Sequence, residues 1–170
     1  MVKLRTNSLT INSTDRSKFI TNFINADILN INKDTRLLET LLKNSLIKGQ
    51  TVTLALISSV CSLPIGTEYI FKNKVSYDLI KDVIFELERD SVSYRFGIAI
   101  FQKSSYLKKY CKSFCQNKIL DWAKEEFKRY KLKEHNPFQA IYLASLLHNL
   151  IVGESVQSYH KQNINGLSKT

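Results

Sequence analysis

Cys111 and Cys115 stand one helical turn apart in "YLKKYCKSFCQ", and two thiolates at that spacing could share a metal ion. A zinc site needs about four ligands, and the nearest histidine in the sequence, His135, lies well beyond. The pattern therefore favours two small core residues. Asp78, Asp82 and Glu86 fall on adjoining turns of one helix face, and paired carboxylates can hold a metal for nuclease chemistry. They sit four apart on an amphipathic helix without a supporting histidine, which favours a solvated acidic strip. Such a strip could also dock the basic region of a second copy, a head-to-tail contact able to extend into a filament. A glycine-rich phosphate loop is absent, which argues against nucleotide hydrolysis. No catalytic residue, metal site or cofactor is expected.

What the sequence does concentrate is positive charge. The chain has 170 residues and a formal charge of +10. Residues 1–102 contribute +3, residues 103–133 contribute +7, and residues 134–170 are neutral. A basic cluster of this kind is the electrostatic footprint of a polyanion binder. The candidate nucleic-acid contacts are Lys103, Lys108, Lys109, Lys112, Lys118, Lys124, Lys128 and Lys131. At 100° per residue, Lys108, Lys109 and Lys112 lie opposite Leu107, Cys111 and Phe114. Lys124, Lys128 and Lys131 lie opposite Ile119, Ala123 and Tyr130. The aromatics are thus mainly core and the lysines the outer layer. That weakens a base-stacking platform, which needs exposed rings, and leaves phosphate contact, which needs charge within reach. In the second half, Asp121 can pair with Lys124, and Glu125 with Lys128 or Arg129. For Lys108, Lys109 and Lys112 no nearby acid competes.

These residues need elements to carry them. With 5 glycines and 2 prolines the chain is short of turn chemistry, so one all-α domain of about six or seven helices is expected, a single compact helical bundle over residues 1–170. Residues 1–12 read as an arm. A helix follows from Ser13 or Thr14 to about Asn30, and a second runs from Asp34 to Gly49. "TVTLALISSVCSLP" has strand-like residues, yet Val52, Leu56, Ser59, Val60 and Leu63 fit one helical face, and a buried helix is favoured. "LPIGTE" reads as a turn and "YIFKNKV" as a short extended piece. Ser76 caps a helix striped by Leu79, Ile80, Val83, Ile84 and Leu87. Asp90 and Ser91 interrupt it, and a further helix reaches about Gln102. From Tyr106 to Tyr130, including Phe127, the apolar residues keep almost strict four-residue spacing. A helix has 3.6 residues per turn, so the stripe must rotate, and two helices meeting near Gln116–Asn117 are expected. Asn136 caps the last helix, Pro137 suits its first position, and Gln139 can complete a capping box. Gly153 ends or weakens that helix, and residues 161–170 read as a frayed tail. The sparse, odd cysteine count, the polar N-terminal residues and the lack of a bilayer-length apolar run point to the cytoplasm.

"RYKLKEH" places Arg129 and His135 with five residues between them near a helix end. This resembles the catalytic motif of the HEPN ribonucleases, all-helical proteins in which paired copies bring arginine and histidine to an RNA-cutting cleft. The family favours a polar residue after the arginine, and here it is Tyr130. The wider pattern, including "NKILDWAKEEFKRYK", resembles the small helical subunits of CRISPR effector complexes. Those stack in copies along guide and target strands and bind backbone phosphates without catalysis. That resemblance implies that Lys108, Lys109, Lys112 and Lys118 face nucleic acid. The expectation is a non-enzymatic, sequence-independent binder of RNA or single-stranded DNA within a larger nucleoprotein complex, with protein subunits, including copies of itself, as further partners and no membrane. A HEPN-like ribonuclease dimer and a protein-interaction subunit without nucleic acid are the alternatives.

Overall fold

The computed structural model describes residues 18, 21, 22, 50–72, 74–130 and 136–167. Among the described residues the chain forms seven α-helices and no strand, an all-α fold. They are α1 (Gln50–Val60), α2 (Pro64–Phe71), α3 (Lys74–Glu86), α4 (Val92–Ser104), α5 (Lys108–Gln116), α6 (Ile119–Arg129) and α7 (Pro137–Leu167). The N-terminal arm and the helices expected over 13–30 and 34–49 lie outside the described residues, apart from helical positions 18, 21 and 22.

The stretch around α1 is a helix despite its β-branched residues. Its buried face differs from the expected one. Thr53, Leu54, Ile57, Ser58 and Val60 are buried, whereas Val52 is 76% exposed. Ser58 faces inward, its carbonyl and Oγ both accepting from Lys103 of α4.

The expected turn at "LPIGTE" is instead the start of α2, and the expected extended piece "YIFKNKV" is its end and the beginning of α3. Proline and glycine have other uses here. Pro64 sits in the first turn, where its fixed φ suits a helix and its missing N–H costs nothing. Gly66 is there for space: a methyl group on it would land on the Val60 carbonyl oxygen. Thr67 Oγ1 ties the same corner by donating to the Cys61 carbonyl at 3.2 Å. Ser76, expected as a cap, lies inside α3, which begins at Lys74.

The break at Asp90–Ser91 is real. Ser91 is the N-cap of α4, its Oγ accepting from Tyr94 N–H at 3.0 Å. α4 is the central helix, with Ile98, Ala99, Ile100 and Phe101 all buried. It packs against α1 on one side and α7 on the other, and α7 also covers α5 and α6. Phe101 meets Phe114 of α5 and Trp122 of α6 edge-on at 5.6 and 5.7 Å between ring centroids, a favourable geometry. Phe85 of α3 stacks on Trp122 at 5.2 Å. The rings Tyr110, Phe114 and Trp122 of the basic stretch thus belong to the core, whereas Tyr106 and Phe127, which the four-residue spacing placed in the stripe, are exposed and Tyr130 is half-buried at its margin.

α5 and α6 meet at Asn117–Lys118, as the drift of the stripe requires. Lys118 turns the corner in the left-handed region, at φ 64°. Its N–H donates to the Cys115 carbonyl at 3.3 Å, and Asn117 N–H to the Ser113 carbonyl at 3.0 Å, satisfying carbonyls at the end of α5. At the start of α7, Asn136 Oδ1 accepts from Phe138 N–H at 3.0 Å. Gln139 does not complete a capping box: its Nε2 reaches across to the Arg89 carbonyl at 3.0 Å. Gly153 neither ends α7 nor serves a turn. It lets the helix lie against Cys111, where a Cβ would be 2.9 Å from the Cys111 Cβ. α7 continues to Leu167, through most of the expected tail.

Candidate nucleic-acid interface

α5 buries Cys111 and Phe114 and turns Lys108, Lys109, Lys112 and Gln116 outward. Lys108 and Lys112 are four apart and therefore neighbours on one face. Lys118 extends the same basic run around the corner and is exposed. Among the described residues, none of these three lysines has a carboxylate in ion-pair contact.

The remaining candidates are placed differently. Lys109 Nζ meets Glu68 of α2 at 2.6 Å, and both side chains are about half exposed. The hydrogen bond it donates to Glu68 holds the ammonium above its ordinary pKa. The Lys109 Nζ also lies over the Tyr110 ring, 5.2 Å from its centroid. Lys128 pairs with Glu125 at 2.8 Å and Lys124 with Asp121 at 3.9 Å, the two pairings that helix spacing suggests. Glu125 is correspondingly held below its usual carboxylate range, by the Lys128 hydrogen bond first and its charge second. Lys103 is not on this surface in the same sense. Its Nζ donates to the Ser58 carbonyl at 2.7 Å and to Ser58 Oγ at 3.0 Å, joining α4 to α1. Lys131 lies outside the described residues.

The stretch thus divides into two parts. Lys108, Lys112 and Lys118 on α5 and its corner are outward cations without a carboxylate in contact, Lys109 of the same helix is shared with Glu68, and α6 carries cations interleaved with acids. The second kind of surface gains little from its pairs, since exposed ion pairs contribute about 0–1 kcal/mol, and it attracts phosphate less because its field is partly cancelled.

Arg129 Nη1 lies 3.8 Å from Glu126 Oε1, and His135 is outside the described residues. Glu126 itself is buried and receives Arg89 through two hydrogen bonds and Tyr94 Oη through a third at 2.6 Å. Burial pushes its carboxyl up, but the hydrogen bonds from Arg89 and Tyr94 and the charges of Arg89 and Arg129 outweigh that and hold it below the usual range. Spacing along the helix picked out Glu125 and could not reveal Glu126, whose partners lie 32 and 37 residues away. Cys111 is buried and its Sγ donates to the Ser105 carbonyl at 3.2 Å, while Cys115 is half-buried. Burial holds the Cys111 thiol above its ordinary pKa and raises Cys61 to about 11. Among the described residues no group of three or more His, Cys, Asp and Glu is placed to hold a metal. Asp78 and Asp82 share Lys81 at 3.7 and 3.4 Å, so the acidic strip is partly neutralised from within. His148 is exposed. Among the described residues no helix is long and apolar enough to cross a membrane.

Beside the basic face lies a cleft that the sequence did not suggest, lined by Lys72, Tyr77, Ser113 and Asn117 among others. Its signal is the polar pair Ser113 and Asn117, four apart on the flank of α5. No family model, curated protein or solved structure matches the chain.

Proposed function

We propose that the protein binds RNA or single-stranded DNA through backbone phosphates, without sequence preference and without catalysis, as a helical subunit of a larger nucleoprotein complex. The observation that supports this reading is the outward set Lys108, Lys112 and Lys118, which among the described residues has no carboxylate in ion-pair contact. Phosphate contact requires cations that are exposed and uncancelled, and these three lysines meet that requirement. Lys109, Lys124 and Lys128 contribute at the margin, each sharing its charge with an acid.

A role within an assembly fits the outer surface of α7, where Phe138, Ile141, Ile151 and Val152 are exposed, because the buried centre of a subunit interface is more apolar than the rest of the surface. The decisive experiment is fluorescence anisotropy with unrelated single-stranded oligonucleotides over a salt series. Similar affinities that fall steeply with salt support the reading, and no binding at low salt removes it.

A further inference from the structure

The cleft beside the basic face lies among α2, α3 and α5 and has a volume of about 420 Å³, within the range of small-ligand sites. Tyr110 and Tyr77 contribute aromatic wall, and Lys72 and Lys109 supply cations. Asp78 also lines it, with its carboxylate drawn towards Lys81.

Tyr77 is the unusual member. It is 6% exposed, and its buried hydroxyl has no hydrogen-bond partner. Buried polar groups are almost always paired, and this hydroxyl lies just beneath the cleft wall without a well-formed hydrogen bond. Its polar neighbours are Ser113 and Asn117. These are turned to one another, with Asn117 Nδ2 donating to the Ser113 carbonyl at 2.7 Å and to Ser113 Oγ at 3.3 Å. Burial pushes the Tyr77 phenol up to about 12, so it remains a hydrogen-bond donor at physiological pH. A hydroxyl, an amide and a second hydroxyl together offer donors and acceptors in a cleft that Phe71 and Tyr110 also line. Cations stand at the same opening.

We propose that this cleft takes one unstacked nucleobase of the bound strand, its polar edge on Tyr77, Ser113 and Asn117 and its flanking phosphate on Lys72. The proposal rests on the nucleic-acid reading above and deepens it. Single strands can present such a base, because their bases can be splayed out and bonded along their edges. The contact adds affinity for a base as such, alongside the phosphate contacts of α5.

The test compares a short single-stranded oligonucleotide with its abasic counterpart, for the wild type, Tyr77→Phe and Asn117→Ala. The wild type should bind the intact strand about fivefold more tightly, the equivalent of one hydrogen bond. Tyr77→Phe should lose that preference, bind the abasic strand as the wild type does, and melt no lower. A wild type that binds both strands equally overturns the cleft assignment, as does a pair of variants indistinguishable from it on the intact strand. In either case weakening by charge reversal at Lys108, Lys112 and Lys118 leaves the phosphate reading standing. A wild type that binds neither strand at low salt overturns both.

Discussion

Arg89 closes on Glu126 with two hydrogen bonds, Nε to Oε2 at 2.6 Å and Nη2 to Oε1 at 3.0 Å, across 37 residues of sequence. Glu126 is 8% exposed and Arg89 about half exposed, so the carboxylate bears most of the desolvation. Tyr94 and Arg129 complete its surroundings. The pair fixes the α3–α4 loop to α6, and Gln139 fastens the same loop to α7 through the Arg89 carbonyl.

Glu126→Ala should therefore be costly. It leaves the buried Tyr94 hydroxyl without its acceptor, while Arg89 can turn to solvent. The expected loss is about 2–3 kcal/mol, read as a fall in melting temperature of about 6–9 °C. Glu126→Gln keeps an acceptor for Tyr94 and should lose about half as much. Thermal melts of the two variants check the order.

Acid should remove the same stabilisation. The Glu126 carboxyl titrates below its unfolded value of about 4.3. A lowered folded pKa gives stabilisation that is complete above the unfolded value and is lost as pH falls through the folded one. Melting temperature should thus decline below about pH 4, and the decline should be shallower in Glu126→Gln. Equal slopes in the two proteins would show that other carboxylates dominate acid unfolding.

Gly66→Ala tests the α1–α2 corner. In an ordinary exposed helix this change stabilises by up to about 1 kcal/mol. Here the added methyl meets the Val60 carbonyl, part of the main chain, which cannot move aside as a flexible side chain would. A loss of about 3 kcal/mol is expected, and chemical denaturation measures it. A neutral result would mean that α2 sits farther from α1 than described.

Charge reversal can separate the two parts of the basic stretch. Each phosphate contact adds about 0.7 to the slope of log affinity against log salt for single strands. Lys108→Glu, Lys112→Glu and Lys118→Glu together should lower that slope by about 2. Lys124→Glu and Lys128→Glu should change it by less, because Asp121 and Glu125 already offset those cations. Equal effects would erase the distinction drawn between α5 and α6.

The parts of this fold governed by local rules were legible from the sequence. Four-residue spacing placed the α5–α6 break near Gln116–Asn117, and Asn136 announced α7. Pro64 and Gly66 misled because both residues punctuate loops by habit, whereas here one suits a first helical turn and the other makes room for a neighbouring carbonyl. The candidate surface was less legible. Lys109 and Glu68 are separated by 41 residues, and Lys103 and Ser58 by 45. Only tertiary packing brings such partners together, so composition could show that cations were crowded but not which were already engaged. Nothing in the sequence singles out Tyr77, whose buried hydroxyl is set apart only by tertiary packing.

Lys118 occupies a backbone region that glycine enters freely and a lysine does not. The cost of such a conformation is about 1 kcal/mol. Lys118→Gly should relieve it, raising the melting temperature by about 3 °C while removing one cation from the α5 edge. The bend between α5 and α6 is therefore a place where thermal robustness and affinity for a polyanion pull in opposite directions, and a single substitution can exchange one for the other.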